Sequence, residues 1–425
     1  MKPQKEIVRG TTKIRASSAC CICRMILCAA LVLSTPLTAR TTNTIFGTLI
    51  SDTKHIDEDH RAGVRLATIS LSWGRFFPEQ ERVNEAYVAE VRSRIEMFRT
   101  AGMHVVLDPG MHFPPVWIFD VPHSRYVNQY GDAFTITNKP GLNAVNGVFN
   151  QAVREAQLSY IARIFTDLGT NFFGIRIGWG HYSELHYAWK GYNGKKNCYW
   201  GFDPIAQGRT GGLAAGIKPC PVPGWLPGTP SDGHSNATLF LEWYLDSLAQ
   251  YQNFQIAAVR RSFSGYCIAL YANWGIRPGQ LADAAACDLD GTSFAEQYEQ
   301  THKGYDFSRF ITAITDEKVI VCGTCVNAAS PWPMTNDIVR DDGDDPVAWS
   351  PIHYLASCAA AHNPPLLVGG ENEGNDDVRG MQLSFARVRR FGLAFFMWAF
   401  DFQLYDKDKR YATIDDYRNA IERSR

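Results

Sequence analysis

The 425-residue chain has no excess of charge of either sign: 42 basic side chains stand against 43 acidic ones. The strong positive field of a general nucleic-acid binder is therefore missing. No apolar run approaches the ~20 residues that cross a bilayer as a helix. The stretch Met25–Leu33 falls well short of it. No GxGxxG or GxxxxGK[ST] loop is present, which removes the usual phosphate-cradling signatures. Cys322 and Cys325 form a CxxC without a second pair, so the spacing of a structural zinc site is missing. No repeat or low-complexity linker divides the chain, and its composition is unlike a collagen, a coiled coil or a long disordered tail. No metal and no organic cofactor is expected.

Charge and cysteine are unevenly placed. Residues 1–24 hold Lys2, Lys5, Arg9, Lys13, Arg15 and Arg24 against the single acid Glu6. The apolar stretch Met25–Leu33 and the small residues Ser34, Pro36 and Ala39 follow. A basic start, a short apolar stretch and small residues make a secretory signal. Residues 1–39 are expected to be that signal, leaving 40–425 as one domain, secreted or periplasmic and free of the membrane once mature. Four of the 11 cysteines, Cys20, Cys21, Cys23 and Cys28, lie in the leader. Cys198 and Cys220 flank a Gly- and Pro-rich loop that a disulfide would close usefully.

The remainder alternates two patterns. Short apolar runs lie at 45–50, 65–71, 104–107, 172–177, 266–271, 318–322, 366–368 and 393–397. Segments of helical period precede most of them, at 84–101, 153–168, 239–261, 307–314, 352–361 and 378–390, with Gly102 and Gly169 as stops. Fully apolar strands alternating with amphipathic helices imply a parallel sheet covered by helices. Eight such units over this length predict a single (β/α)8 TIM barrel with long loops at the C-terminal face of the strands.

Working residues in such a barrel lie where each strand ends. These positions hold Trp73 after the second run, then His112 and Trp117 after the third. His181, Glu184 and Tyr187 follow the fourth, Asn273 and Trp274 the fifth. Glu371 and Glu373 close the seventh, and Trp398 the eighth. One rim thus gathers carboxylates, amides and several tryptophans. Glu184 and Glu371 fall on roughly opposite sides of an eight-membered ring. Two facing carboxylates suit glycoside hydrolysis, where one gives a proton to the leaving oxygen and the other attacks the anomeric carbon or activates water. The remaining rim residues, Trp73, His112, Trp117, His181, Tyr187, Asn273, Trp274, Glu373 and Trp398, are candidates to stack on a sugar or hold its hydroxyls. Asp341, Asp342, Asp344 and Asp345 form an acidic loop that lacks the full calcium-binding pattern, and it reads as solvated.

The stretches Leu66–Glu79 (LATISLSWGRFFPE) and Gly102–Trp117 (GMHVVLDPGMHFPPVW) resemble the second and third strand units of clan A glycoside hydrolases. Family 42 β-galactosidases and cellulase-like families are the nearest. The resemblance implies Glu184 as acid/base, Glu371 as nucleophile, a retaining mechanism on β-linked sugars, and Trp398 as the floor of a sugar pocket. Ser183 stands where that clan has Asn. Gly180–Tyr187 (GHYSELHY) and Gly370–Asn372 (GEN) are instead similar to the two catalytic motifs of β-amylases, which invert. A barrel that binds carbohydrate without cleaving it is a further alternative. The expected partner is a carbohydrate substrate.

Overall fold

The computed structural model describes residues 43–136, 143–289, 299–329, 339–408 and 410–425. The leader call lies outside them. Eight strands form in the order expected: β1 Ile45–Thr48, β2 Leu66–Ser70, β3 His104–Asp108, β4 Gly174–Ile177, β5 Tyr266–Tyr271, β6 Val319–Gly323, β7 Leu367–Glu371 and β8 Phe395–Trp398. Each pairs in parallel with the next, and β1 pairs with β8, so the sheet closes into a barrel. This is the (β/α)8 architecture that the alternation implies.

Strand alternation sorts each run into two faces. Leu66, Val106, Ile268, Leu270, Ile320, Cys322, Phe395 and Met397 pack together as the barrel interior. The alternate residues, such as Ile175, Ile177, Val319 and Val321, pack in the larger cluster that includes the surrounding helices. Both faces are buried, which is why the runs read as continuous apolar stretches. Gly369 and Gly370 are required by this packing. A Cβ on Gly369 would lie 2.3 Å from the Phe395 ring, and one on Gly370 would lie 2.6 Å from both Leu393 and Val326.

Helices begin where a side chain can take the first free backbone N–H groups. Asn84 caps Glu85–Thr100, Asn150 caps Gln151–Leu168, and Asp377 caps Val378–Phe391. Gly169, at φ 75°, ends the second of these. One helix that the apolar pattern did not reveal, Ile414–Glu422, opens with a reciprocal Thr413–Asp416 cap. Its Tyr417 hydroxyl donates to the Gly47 carbonyl at 2.8 Å, which fastens the chain end to β1.

The long loop after β4 has its own packed interior. Cys198, Tyr199 and Trp200 are buried, and Asp203 accepts from the N–H groups of Ile205 and Ala206. The expected Cys198–Cys220 disulfide does not form, and all seven cysteines among the described residues are free thiols. The Cys198 sulfur instead takes a contact from Asn128 at 3.4 Å. Nor is the acidic loop wholly solvated. Asp341 pairs with Arg387 at 3.0 Å and with His353 at 3.4 Å, which fixes the loop on the helix Val378–Phe391.

The seam between β1 and β8 holds a buried carboxyl pair. Asp59 accepts from the Tyr405 hydroxyl at 2.8 Å, and Asp401 meets His55 Nδ1 at 2.7 Å. Burial pushes both carboxyls well up, and the Asp401 charge pushes Asp59 further. A carboxyl raised in the folded state favours folding at acid pH and loses that contribution as pH climbs through its folded value. Thermal unfolding should therefore show wild type losing more stability between pH 5 and pH 8 than Asp59→Asn. Equal losses would mean that Asp59 does not titrate in this range.

Candidate active site

A cavity of about 1290 Å³ opens at the C-terminal end of the barrel. Its floor continues the inward-facing phase of the strands. Below, that phase is apolar; at the top it carries Asp108 on β3, Arg176 on β4 and Glu371 on β7. Arg176 Nη2 lies 3.3 Å from each oxygen of Glu371, and its Nε lies 3.9 Å from Asp108. A guanidinium has no neutral escape, so buried in this way it requires carboxylate partners. Glu371 is itself buried, and burial pushes its carboxyl up to about 7. Arg176 opposes that rise, while the charges of Glu184 and Asp108 add to it.

Glu184 stands on the loop that follows β4. This loop is tightly turned: Trp179, Tyr182 and Ser183 all take positive φ, at 51°, 60° and 65°. Such conformations cost energy in residues other than glycine and persist only where surrounding contacts impose them. Those contacts are present. Gln255 on the long helix Ser235–Arg260 bonds both the N–H and the C=O of Gly178, at 2.7 and 3.0 Å. The N–H of Leu185 bonds the carbonyl of Leu270 at 3.0 Å. Glu184 thus lines the cavity from a fixed loop. Its side chain is 19% exposed against 4% for Glu371, so Glu184 is the more open of the two carboxyls.

Ser183 ties the loop to the floor. Its hydroxyl donates to Asp108 Oδ1 at 2.8 Å and meets His112 Nδ1 at 2.8 Å. The serine proton is used on Asp108, so Nδ1 of His112 carries the hydrogen given to Ser183. Nε2 of His112 is left as an acceptor. Burial lowers the pKa of His112, which keeps the ring neutral and that acceptor available. Asn372 binds both backbone groups of Ala399, at 3.1 and 2.6 Å, and so joins the end of β7 to the end of β8.

The cavity wall brings together Glu184, Glu371, His112, Asn273, Trp274 and Glu373 from the sequence candidates. β7 ends at Glu371, so Glu373 reaches the wall from the loop beyond it. Its N–H bonds Asn327 Oδ1 at 2.8 Å. Five other candidates are absent from the wall and pack elsewhere. Trp73 opens a helical turn and is fully buried, stacked on Tyr160 and edge-on to Trp117. Trp117 donates its indole N–H to the Phe77 carbonyl at 3.0 Å. His181 is fully buried, edge-on to Trp189. Tyr187 stacks on Tyr244 and donates to its carbonyl at 2.8 Å. Trp398 has the outward phase of β8 and packs against Tyr417 rather than flooring a pocket.

Phe113, Tyr182 and Phe400 supply the aromatic surface that those tryptophans do not. The sequence reading missed them. Among the described residues, no group of three or more His, Cys, Asp or Glu side chains is placed to hold a metal ion.

No protein-family model and no curated protein sequence matches the chain. Solved structures do resemble it in fold. The catalytic domain of β-amylase from Paenibacillus polymyxa superposes with a TM-score of 0.64 at 14% identity, covering 91% of this chain and 99% of that one. β-Galactosidases from the Antarctic haloarchaeon Halorubrum lacusprofundi and from Marinomonas ef1 give TM-scores of 0.53 and 0.55 at 14% and 10% identity. They cover 90% and 89% of this chain. The chain spans only 58% and 59% of those two proteins. At such identities the likeness establishes a shared barrel.

Proposed function

We propose that the protein is a glycoside hydrolase in which Glu184 is the general acid and Glu371 the ionised partner. The observation that carries this reading is the pair itself. The two carboxyls line one cavity, Glu371 at the end of β7 and Glu184 on the loop after β4, near enough to interact electrostatically. Glu184, the more open, protonates the departing oxygen. Glu371, held by Arg176, either attacks the anomeric carbon or draws a proton from water. His112 Nε2, Asn273 and Asp108 offer hydrogen bonds to sugar hydroxyls, and Phe113, Tyr182, Trp274 and Phe400 offer apolar faces.

Of the two routes, we take inversion. Retention rests on the clan A pattern, and two features of that pattern find other uses in this chain. The residue before Glu184 is Ser183, whose hydroxyl is committed to Asp108 and His112. Trp117 of the Pro-Pro-x-Trp turn packs on Trp73, off the cavity wall. The β-amylase likeness, which runs over nearly the whole of that catalytic domain, supports inversion with Glu371 as the base. Starch-type α-glucans are therefore the first substrates to offer, with β-galactosides beside them. Export of the mature chain belongs to the same proposal, on the strength of the basic and apolar leader.

Proton NMR of the anomeric signals during digestion tests the route directly. Release of a sugar with inverted configuration is expected. Retained configuration would restore Glu371 as a nucleophile. Binding of a glycan with no released sugar over long incubation would leave a carbohydrate-binding barrel.

A further inference from the structure

His186 lies two residues beyond Glu184 and is almost wholly buried. Its Nδ1 is in hydrogen-bond contact with the Tyr187 carbonyl. A carbonyl only accepts, so Nδ1 carries the hydrogen. The other nitrogen, Nε2, lies 3.5 Å from Glu184 Oε2. The Tyr305 ring, 5.5 Å away and set nearly edge-on, packs beside the imidazole. The tautomer and the orientation of this histidine are thus both fixed from behind, and one nitrogen is presented to the carboxyl.

We propose that His186 is a positioning residue for the general acid: its imidazole, fixed through Nδ1 and packed beside Tyr305, holds the Glu184 carboxyl where a leaving oxygen can meet it. When a glycosidic oxygen arrives, Glu184 passes it the proton as the C–O bond breaks. The bond's electron pair stays on the leaving oxygen, and Glu184 becomes a carboxylate that regains its proton from solvent. The proposal rests on the reading of Glu184 as the acid.

The test compares two substrates of the same sugar, once a hydrolysed glycan has been found. One is that glycan, whose leaving oxygen needs a proton. The other is its dinitrophenyl glycoside, whose leaving group departs without one. His186→Gln and His186→Phe are measured beside Glu184→Gln, with thermal unfolding as the check on folding. Gln can still reach the Tyr187 carbonyl, and Phe keeps the packing on Tyr305. In both His186 variants, kcat on the glycan should fall by about 10²-fold, with less than about a threefold loss on the dinitrophenyl glycoside. Equal losses on both substrates in folded variants would make His186 a structural residue and overturn the proposal. So would wild-type rates on both. If Glu184→Gln itself shows no dependence on the leaving group, the acid has been misassigned, and the proposal for His186 falls with it.

Discussion

Glu184→Gln and Glu371→Gln should each lower kcat on the native glycan by about 10³-fold or more, because each removes a proton transfer or a charge that the transition state needs. The two variants should differ in stability. Glu184 pairs at 3.5 Å with one buried histidine, and its amide analogue fits the same space without stranding a charge. Its unfolding temperature should stay close to wild type. Glu371→Gln leaves the buried Arg176 guanidinium, among the described residues, with Asp108 at 3.9 Å as its ion-pair partner. Breaking one side of a buried ion pair costs about 3–5 kcal/mol in unfavourable cases. The retained amide oxygen, which still accepts from Arg176, should hold the loss below that. Activity and unfolding are therefore to be measured on the same preparations. Substantial turnover in a folded Glu184→Gln or Glu371→Gln would remove that residue from the scheme.

The barrel was legible because each strand is buried on both faces. That leaves an unbroken apolar run between polar turns, and β6 (VIVCG) is buried at all five positions. Glu371 could be placed at the barrel mouth because it closes such a run, and Glu184 because it stands on the loop that follows one. The tryptophans were harder, and for more than one reason. Beyond the last strand residue, alternation no longer fixes which way a side chain points, and Trp73 turns outward with the helical turn that Ser72 caps. Trp398 could have been placed. It follows Met397, an interior residue, by one position and so must face out. Arg176 was equally available. It sits two residues after Gly174 in GIRI, in the register of the interior residue Ile268. A cation inside an otherwise apolar strand has the mouth of the barrel as its only polar exit, where Glu371 waits. What alternation could not supply is distance across the ring. The choice between Glu184 and Glu371 as partner of Arg176 needed the closed barrel.

The pH profile gives the sharpest test of how the two roles are assigned. Burial holds Glu371 at about 7 in the free protein, against the pull of Arg176. As base or as nucleophile, Glu371 must be ionised. At pH 5 only about one molecule in a hundred would carry that charge, so kcat/KM should rise from pH 5 toward pH 7. Arg176→Met removes the one charge that lowers the Glu371 value, so the rise should move to higher pH. Among the described residues, the ion pairs of Arg176 are with Glu371 and, more distantly, Asp108, so Glu371 should move most. The same variant leaves buried carboxylates without their cation, and its stability should therefore improve toward acid pH, where Glu371 takes up a proton. A profile that falls through pH 7 in wild type would make Glu371 the proton donor and exchange the two roles. A rise that Arg176→Met leaves in place would assign it to another group and remove Glu371 as its origin.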